Sequence, residues 1–161
     1  MRALVWISEG SWEACVDRTR ETLASDAEVT LLHVAAADAE RLASEPLAER
    51  LGRHRPPPPG PAVRELSEAE AQELLAAARA RLRRAARTLS LHGRAERVVV
   101  QAAADADLLV LAREGHPRLG PGSLGPRARF VVDHAPCEVL LVWPARPEAG
   151  VDSIHWPRHM R

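Results

Sequence analysis

Short apolar runs separated by longer stretches of mixed polarity recur along this chain. Residues 3–7 (ALVWI), 28–34 (EVTLLHV), 108–111 (LLVL) and 139–143 (VLLVW) are typical of strands buried on both faces of a parallel sheet. Between these runs, apolar residues recur at helical spacing. The pattern therefore predicts an α/β fold in which strands alternate with helices through right-handed crossovers.

Three of the helices have recognisable boundaries. Helix 12–24 follows the first strand, and helix 126–134 opens with proline, which suits the first helical position. A longer helix runs from Ser67 to about Arg87, and Ser67 and Glu70 have the spacing of a capping box at its start. Its arginines are expected to form a solvated face, with polyanion binding as the alternative. They are Arg79, Arg81, Arg83, Arg84 and Arg87.

The region after this helix permits two interpretations. Residues 97–100 have the β-propensity of a strand, but residues 101–106 would then be too short for a parallel crossover to the next strand. The alternative places a strand at 88–92, a turn at Gly93 and a helix at 94–104. We adopt the second interpretation, because crossover length is a stronger constraint than local propensity.

The chain is predicted to form one domain over residues 1–144, with an insertion at 36–62 and a tail at 145–161. Five prolines between positions 56 and 61 exclude a helix or a central strand there. We expect this proline-rich segment to act as a stiff connector.

Composition removes several classes of function. The 22 basic residues are all arginine and are balanced by 22 acidic residues, so neither nucleic acid nor an anionic membrane is an expected partner. Without lysine, a P-loop and Schiff-base chemistry are excluded. No segment is apolar over the length of a bilayer span, and residues 3–7 are too short for a signal-peptide core, so a cytoplasmic location is expected.

Cys15 and Cys137 are expected to be small buried residues. No metal-binding or catalytic motif is present in the sequence, so an enzyme is not expected.

A glycine-rich loop joins the strand 108–111 to the helix 126–134. This arrangement presents backbone N–H groups at a helix N-terminus, which favours anionic phosphate. The spacing Ala112-x-x-Gly115-x9-Gly125-Pro126 resembles the nucleotide loop of the universal stress proteins, G-x-x-G-x9-G-[S/T]. The following FVVDHAPCEVLLVWP resembles the closing helix and last strand of that family. Two positions differ, since Ala112 replaces the first glycine and Pro126 replaces the serine or threonine.

The resemblance implies a doubly wound, flavodoxin-like sheet of five parallel strands in the order 3-2-1-4-5. A ligand would then bind at the switch point between the first and fourth strands. The family's ligand is an adenine nucleotide, here ATP or AMP with Mg²⁺, in a stress-response protein with at most weak ATP hydrolysis. The implied nucleotide-binding residues are Ser8, Glu9, Val34, Leu111, Ala112, Arg113, Gly115, Gly125, Pro126 and Arg127. Ser8 stands where the family has an aspartate, and Glu9 is expected to compensate.

The resemblance also implies a homodimer formed through the last strand. Its interface would contain Val139, Leu140, Leu141, Val142 and Trp143. An apolar strand at a sheet edge needs cover, which agrees with this expectation. A nucleotide-free dimeric interaction module of the same fold is the alternative function.

Overall fold

The structure, a computed structural model, describes residues 1–36, 61–115 and 121–145. Its five parallel strands form one sheet in the order β3-β2-β1-β4-β5, as predicted. The strands are β1 (Arg2–Trp6), β2 (Glu28–Ala36), β3 (Arg87–Gly93), β4 (Leu108–Ala112) and β5 (Glu138–Val142). The first and fourth strands are adjacent, so the sheet has its switch point where the resemblance placed it.

Helices cover both faces of the sheet. They are α1 (Trp12–Thr22), α2 (Pro61–Leu82), α3 (Ala95–Ala102) and α4 (Pro126–His134), with short 3₁₀ turns at 103–105 and 121–123. The core has two layers because successive strand residues point to opposite faces. Val5 packs with α1 and α2, whereas its neighbour Leu4 packs with α3 and α4.

The boundaries of α2 correct one prediction. The helix begins at Pro61, so Ser67 lies inside it and the capping-box interpretation is wrong. It ends at Leu82, earlier than the predicted Arg87, and the next residue, Arg83, has a left-handed φ of 57° that cannot continue a helix.

The crossover argument is confirmed in the region that follows. Residues 87–93 form β3, and residues 97–100 lie within α3 as helix rather than strand. Ala36 closes β2 and Pro61 opens α2, so the last of the five prolines that were expected to exclude a helix is the first residue of one. Residues 37–60, with the other four prolines, and the tail beyond residue 145 lie outside the described residues.

No helix in the described parts of the chain is both long and apolar enough to cross a membrane. The carboxyl ends of β1, β2 and β4 meet at one edge of the sheet. A backbone hydrogen bond of 2.8 Å from Ile7 N to Leu32 O extends the pairing of β1 with β2 beyond the strand end. This edge is the place where an open α/β sheet holds a ligand.

Candidate functional site

A cavity of about 600 Å³ opens at the carboxyl ends of β1, β2 and β4. That volume lies within the range of small-molecule sites. Six of the ten residues predicted for a nucleotide site line it: Ser8, Glu9, Val34, Arg113, Gly115 and Arg127. Four do not line it: Leu111, Ala112, Gly125 and Pro126. Leu111 and Ala112 instead belong to the two core layers.

The first rim of the cavity is the turn after β1, residues 8–11, which we call the strand rim. The backbone N–H groups of Ser11 and Trp12 both donate to the carbonyl oxygen of Ser8, at 3.3 and 3.1 Å. Gly10 makes this turn with a φ of 77°. The turn leaves Glu9 exposed beside Ser8, so a carboxylate is available where the family's aspartate is missing.

The wall between the strands is mostly apolar. Trp6 and Val34 line it, and each is less than a tenth exposed. Nδ1 of His33 lies 3.0 Å from the carbonyl oxygen of Ile7, so a proton on Nδ1 donates there and fixes the imidazole against β1. On the far side, α2 contributes Leu74. This wall suits a flat, largely apolar group such as a base.

The opposite rim is the glycine loop, residues 112–125, of which 116–120 lie outside the description. A Cβ on Gly115 would lie 2.3 Å from the carbonyl oxygen of Gly122 and 2.4 Å from a backbone atom of Ser123. A Cβ on Gly125 would lie 2.7 Å from the carbonyl oxygen of Glu114. Both glycines are therefore required by the packing of the loop on itself.

Arg113 is engaged by the same loop. Its Nη2 donates to the hydroxyl of Ser123 at 2.6 Å, and its guanidinium lies 4.7 Å from the ring centroid of Trp143. Its Nε is buried and has no hydrogen-bond partner in the described structure. In this arrangement Arg113 ties the loop to the end of β5, and its charge, which neither the hydroxyl nor the ring neutralises, stays at the wall of the cavity.

Three carboxylates and two guanidinium groups line the cavity. The carboxylates belong to Glu9, Glu70 and Glu114, and the guanidinium groups to Arg113 and Arg127. Glu114 accepts a hydrogen bond of 3.2 Å from the hydroxyl of Ser11, which joins the glycine loop to the strand rim. The cavity therefore has no excess of positive charge with which to attract a bare polyphosphate.

Arg127, at the start of α4, lies near a buried carboxylate on α3. Glu96 is only 5% exposed, and one of its oxygens is hydrogen-bonded by Arg94 while the other has no partner in the described structure. Burial raises the pKa of Glu96, but hydrogen bonds from its own N–H and from Arg94, with the charges of Arg94 and Arg127, hold that pKa below its usual value. The negative charge of Glu96 therefore lies close enough to Arg127 for the two to attract each other.

Sequence reasoning missed several residues of the site. Glu114 occupies a variable position of the loop motif, and Glu70 reaches the cavity only through the packing of α2. No described group of histidine, cysteine and acidic residues could hold a metal ion. Burial raises the pKa of Cys15 to about 12, with a further contribution from Glu114, and burial and Asp107 also raise the pKa of Cys137. Neither thiol is activated as a nucleophile.

Comparisons with known proteins agree with the fold. The sequence model of the universal stress protein family matches residues 2–142. A comparison with the curated proteins finds no match. Among solved structures, a universal stress protein from Lactobacillus plantarum has 22% identity and a TM-score of 0.57, covering 88% of this chain and 97% of its own. One from Archaeoglobus fulgidus has 17% identity and a TM-score of 0.59, covering 88% and 98%.

A third similar structure is a universal stress protein in complex with cAMP, with 17% identity, a TM-score of 0.57, and coverage of 90% of this chain and 98% of its own. At such identities the structural likeness concerns the fold alone. The match of the family's sequence model, however, extends over most of the chain. This chain belongs to the universal stress protein family.

Proposed function

We propose that this protein binds an adenine nucleotide, ATP or AMP, in the cavity at the switch point of its sheet. The observation that carries the proposal is that six of the ten residues implied by the family resemblance line one cavity of about 600 Å³. The structure of another family member in complex with cAMP supports an adenine nucleotide as the class of ligand.

Each part of the nucleotide has a suitable surface. The adenine packs on the apolar wall of Trp6 and Val34, and the ribose hydroxyls face Ser8 and Glu9. The phosphate end faces Arg127, whose fork of N–H donors suits phosphate oxygens. Mg²⁺ bound to the phosphates would offset the carboxylates of the cavity when ATP is the ligand.

In this proposal Arg127 makes contacts with the phosphate that a serine or threonine at position 126 makes in the family pattern. Pro126 has no N–H to donate at the first position of α4, and Arg113 is already bonded to Ser123. Arg127, which lines the cavity at the second position of the helix, is the cation that we propose for the phosphate.

The test is a comparison of Arg127→Gln with Arg129→Gln by titration calorimetry with AMP, ATP·Mg and adenosine. Arg129 is an exposed arginine on the same helix that does not line the cavity. Arg127→Gln should weaken AMP and ATP about tenfold, the loss of one charged hydrogen bond, and leave adenosine unchanged. Arg129→Gln should bind all three as the natural protein does.

Nucleotide released from the purified protein by mild denaturation, and identified by ion-exchange chromatography, is the complementary measurement. Near-stoichiometric AMP or ATP supports the proposal. The proposal is wrong if the supernatant is empty and millimolar AMP, ATP·Mg and adenosine give neither heat nor a thermal shift.

A nucleotide-free dimeric module is the second candidate, favoured by the closed packing of the glycine loop. The edge strand β5 exposes part of three apolar residues, Val139, Leu140 and Leu141, which fits a twofold contact between copies. In this function the protein is a dimer by light scattering at micromolar concentration and binds no nucleotide. A monomer at that concentration would exclude this second candidate.

A further inference from the structure

A second groove, of about 790 Å³, lies apart from the nucleotide cavity, between α2 and the outermost strand β3. Its floor includes Leu75, and its sides are exposed residues of α2 and β3. Among the described residues the two sites share no lining residue, so the groove is independent of nucleotide binding.

The groove is positively charged. Three arginines line it, Arg79, Arg83 and Arg84, and no acidic side chain is among the described residues that line it. Nη2 of Arg84 is held by the carbonyl oxygens of Ser25 and Ala27, at 2.9 and 2.6 Å. Arg79 and Arg83 are exposed, and neither forms an ion pair within 4 Å in the described structure. Both charges face solvent, although that of Arg83 also contributes, after the hydrogen bond and charge of Arg81 and the charge of Arg20, to holding the pKa of Asp17 below its usual value.

The groove runs along an open strand edge. In the described structure β3 pairs with β2 alone and is the outermost strand. It is seven residues long, longer than β5, and Thr88 and Ser90 line the groove. Every second residue of an edge strand directs its N–H and C=O outward, where an extended chain can pair with them.

We propose that this groove binds an extended acidic segment of another protein. The segment adds as a sixth strand to β3 through backbone hydrogen bonds, and its alternate carboxylates meet Arg79 and Arg83. Strand addition supplies the affinity of such complexes, and side chains on one face supply the specificity.

Charge and composition favour this occupant over two others. A second copy pairing edge to edge through β3 would bring two sets of these arginines together, which is unfavourable. No aromatic side chain is among the described residues that line the groove, so a nucleic-acid base would find nothing there on which to stack.

The probe is a fluorescein-labelled ten-residue peptide of alternating valine and glutamate, and its binding to the full chain is followed by anisotropy. The variants are the double variant Arg79→Glu/Arg83→Glu and the control Arg97→Glu, an exposed arginine on α3 that does not line the groove. The double variant should weaken binding at least about tenfold, and the control should change it less than about twofold. Circular dichroism checks that each variant is folded.

A second peptide separates strand addition from simple charge attraction. It has the same sequence but is N-methylated at alternate residues, which removes backbone donors and keeps every carboxylate. This peptide should bind at least about tenfold more weakly than the parent. Equal binding of both peptides would overturn the proposal.

Three further results would also overturn it. The first is tighter binding of single-stranded dT12 than of the acidic peptide, with the same dependence on the two arginines. The second is a dimer by light scattering that the double variant abolishes, since a second copy would then occupy the groove. The third is equal affinity of the natural protein and the double variant for the acidic peptide.

Discussion

The two rims of the candidate nucleotide cavity require glycine for opposite reasons. In the strand rim, a Cβ added to Gly10 would meet nothing within 4 Å, and only its φ of 77° requires glycine. In the glycine loop, a Cβ added to Gly115 would overlap the backbone of residues 122 and 123. The strand rim therefore leaves space for a ligand, whereas the loop fills its own space.

This difference changes what the glycine spacing means. A glycine loop that wraps phosphate keeps its N–H groups available, because backbone must approach the ligand closely. Here the closest approaches of Gly115 and Gly125 are to other parts of the loop. The spacing alone thus predicts a tight loop, and only the cavity beside it points to a nucleotide.

The largest expected effect comes from adding a methyl group at Gly115, where the packed loop has no room for one. Gly115→Ala should lower the free energy of unfolding by about 2–3 kcal/mol, because the obstructing atoms are backbone and move only with the loop. Gly10→Ala should cost about 1 kcal/mol, the cost of a left-handed backbone at a non-glycine residue. Urea unfolding of both variants measures the difference.

The two alanine variants also control each other, since both add one methyl group to a rim of the same cavity. Equal losses at positions 10 and 115 would show that the loop is not packed on itself. The comparison of the rims would then be wrong.

Much of the fold could be predicted from the sequence because its signals are local or follow from chain length. Apolar runs identified β1, β2, β4 and β5, and proline marked the first residue of α4 correctly. The crossover argument moved residues 97–100 from strand to helix against their propensity. The capping-box prediction at Ser67 was wrong, because the helix extends upstream of that residue to Pro61.

The site was predictable in outline and not in its chemistry. The family resemblance indicated which loops surround the cavity, but Glu70 enters from a helix whose position depends on tertiary packing. Arg113 was expected among the nucleotide-binding residues, and it also bonds to Ser123 and lies over Trp143, which the spacing did not indicate. Such pairings join residues far apart in the chain and have no signature in residue spacing.

The next largest effect tests whether a hydrogen-bond donor for phosphate can be added where the glycine loop meets α4. Pro126→Ser restores an N–H and a hydroxyl at the first position of α4. If phosphate lies there, ATP affinity should rise about tenfold, because hydrogen bonds to charged groups contribute about 1.5–3 kcal/mol. Adenosine has no phosphate, so its affinity should stay unchanged in the same calorimetric titration. If the affinities for ATP and adenosine rose equally, the substitution would not act through the phosphate.

The smallest effect concerns the hydrogen bond that joins the two rims. Glu114→Gln keeps an oxygen that accepts from the Ser11 hydroxyl, and it removes one negative charge from the cavity. Without Mg²⁺, ATP affinity should rise about threefold, the size expected for one exposed charge, and the gain should shrink as salt is added. Glu13→Gln, an exposed glutamate on α1 outside the cavity, is the control. Weaker ATP binding by Glu114→Gln would instead make this carboxylate part of the nucleotide site, and the loop rim would then take a direct share in binding.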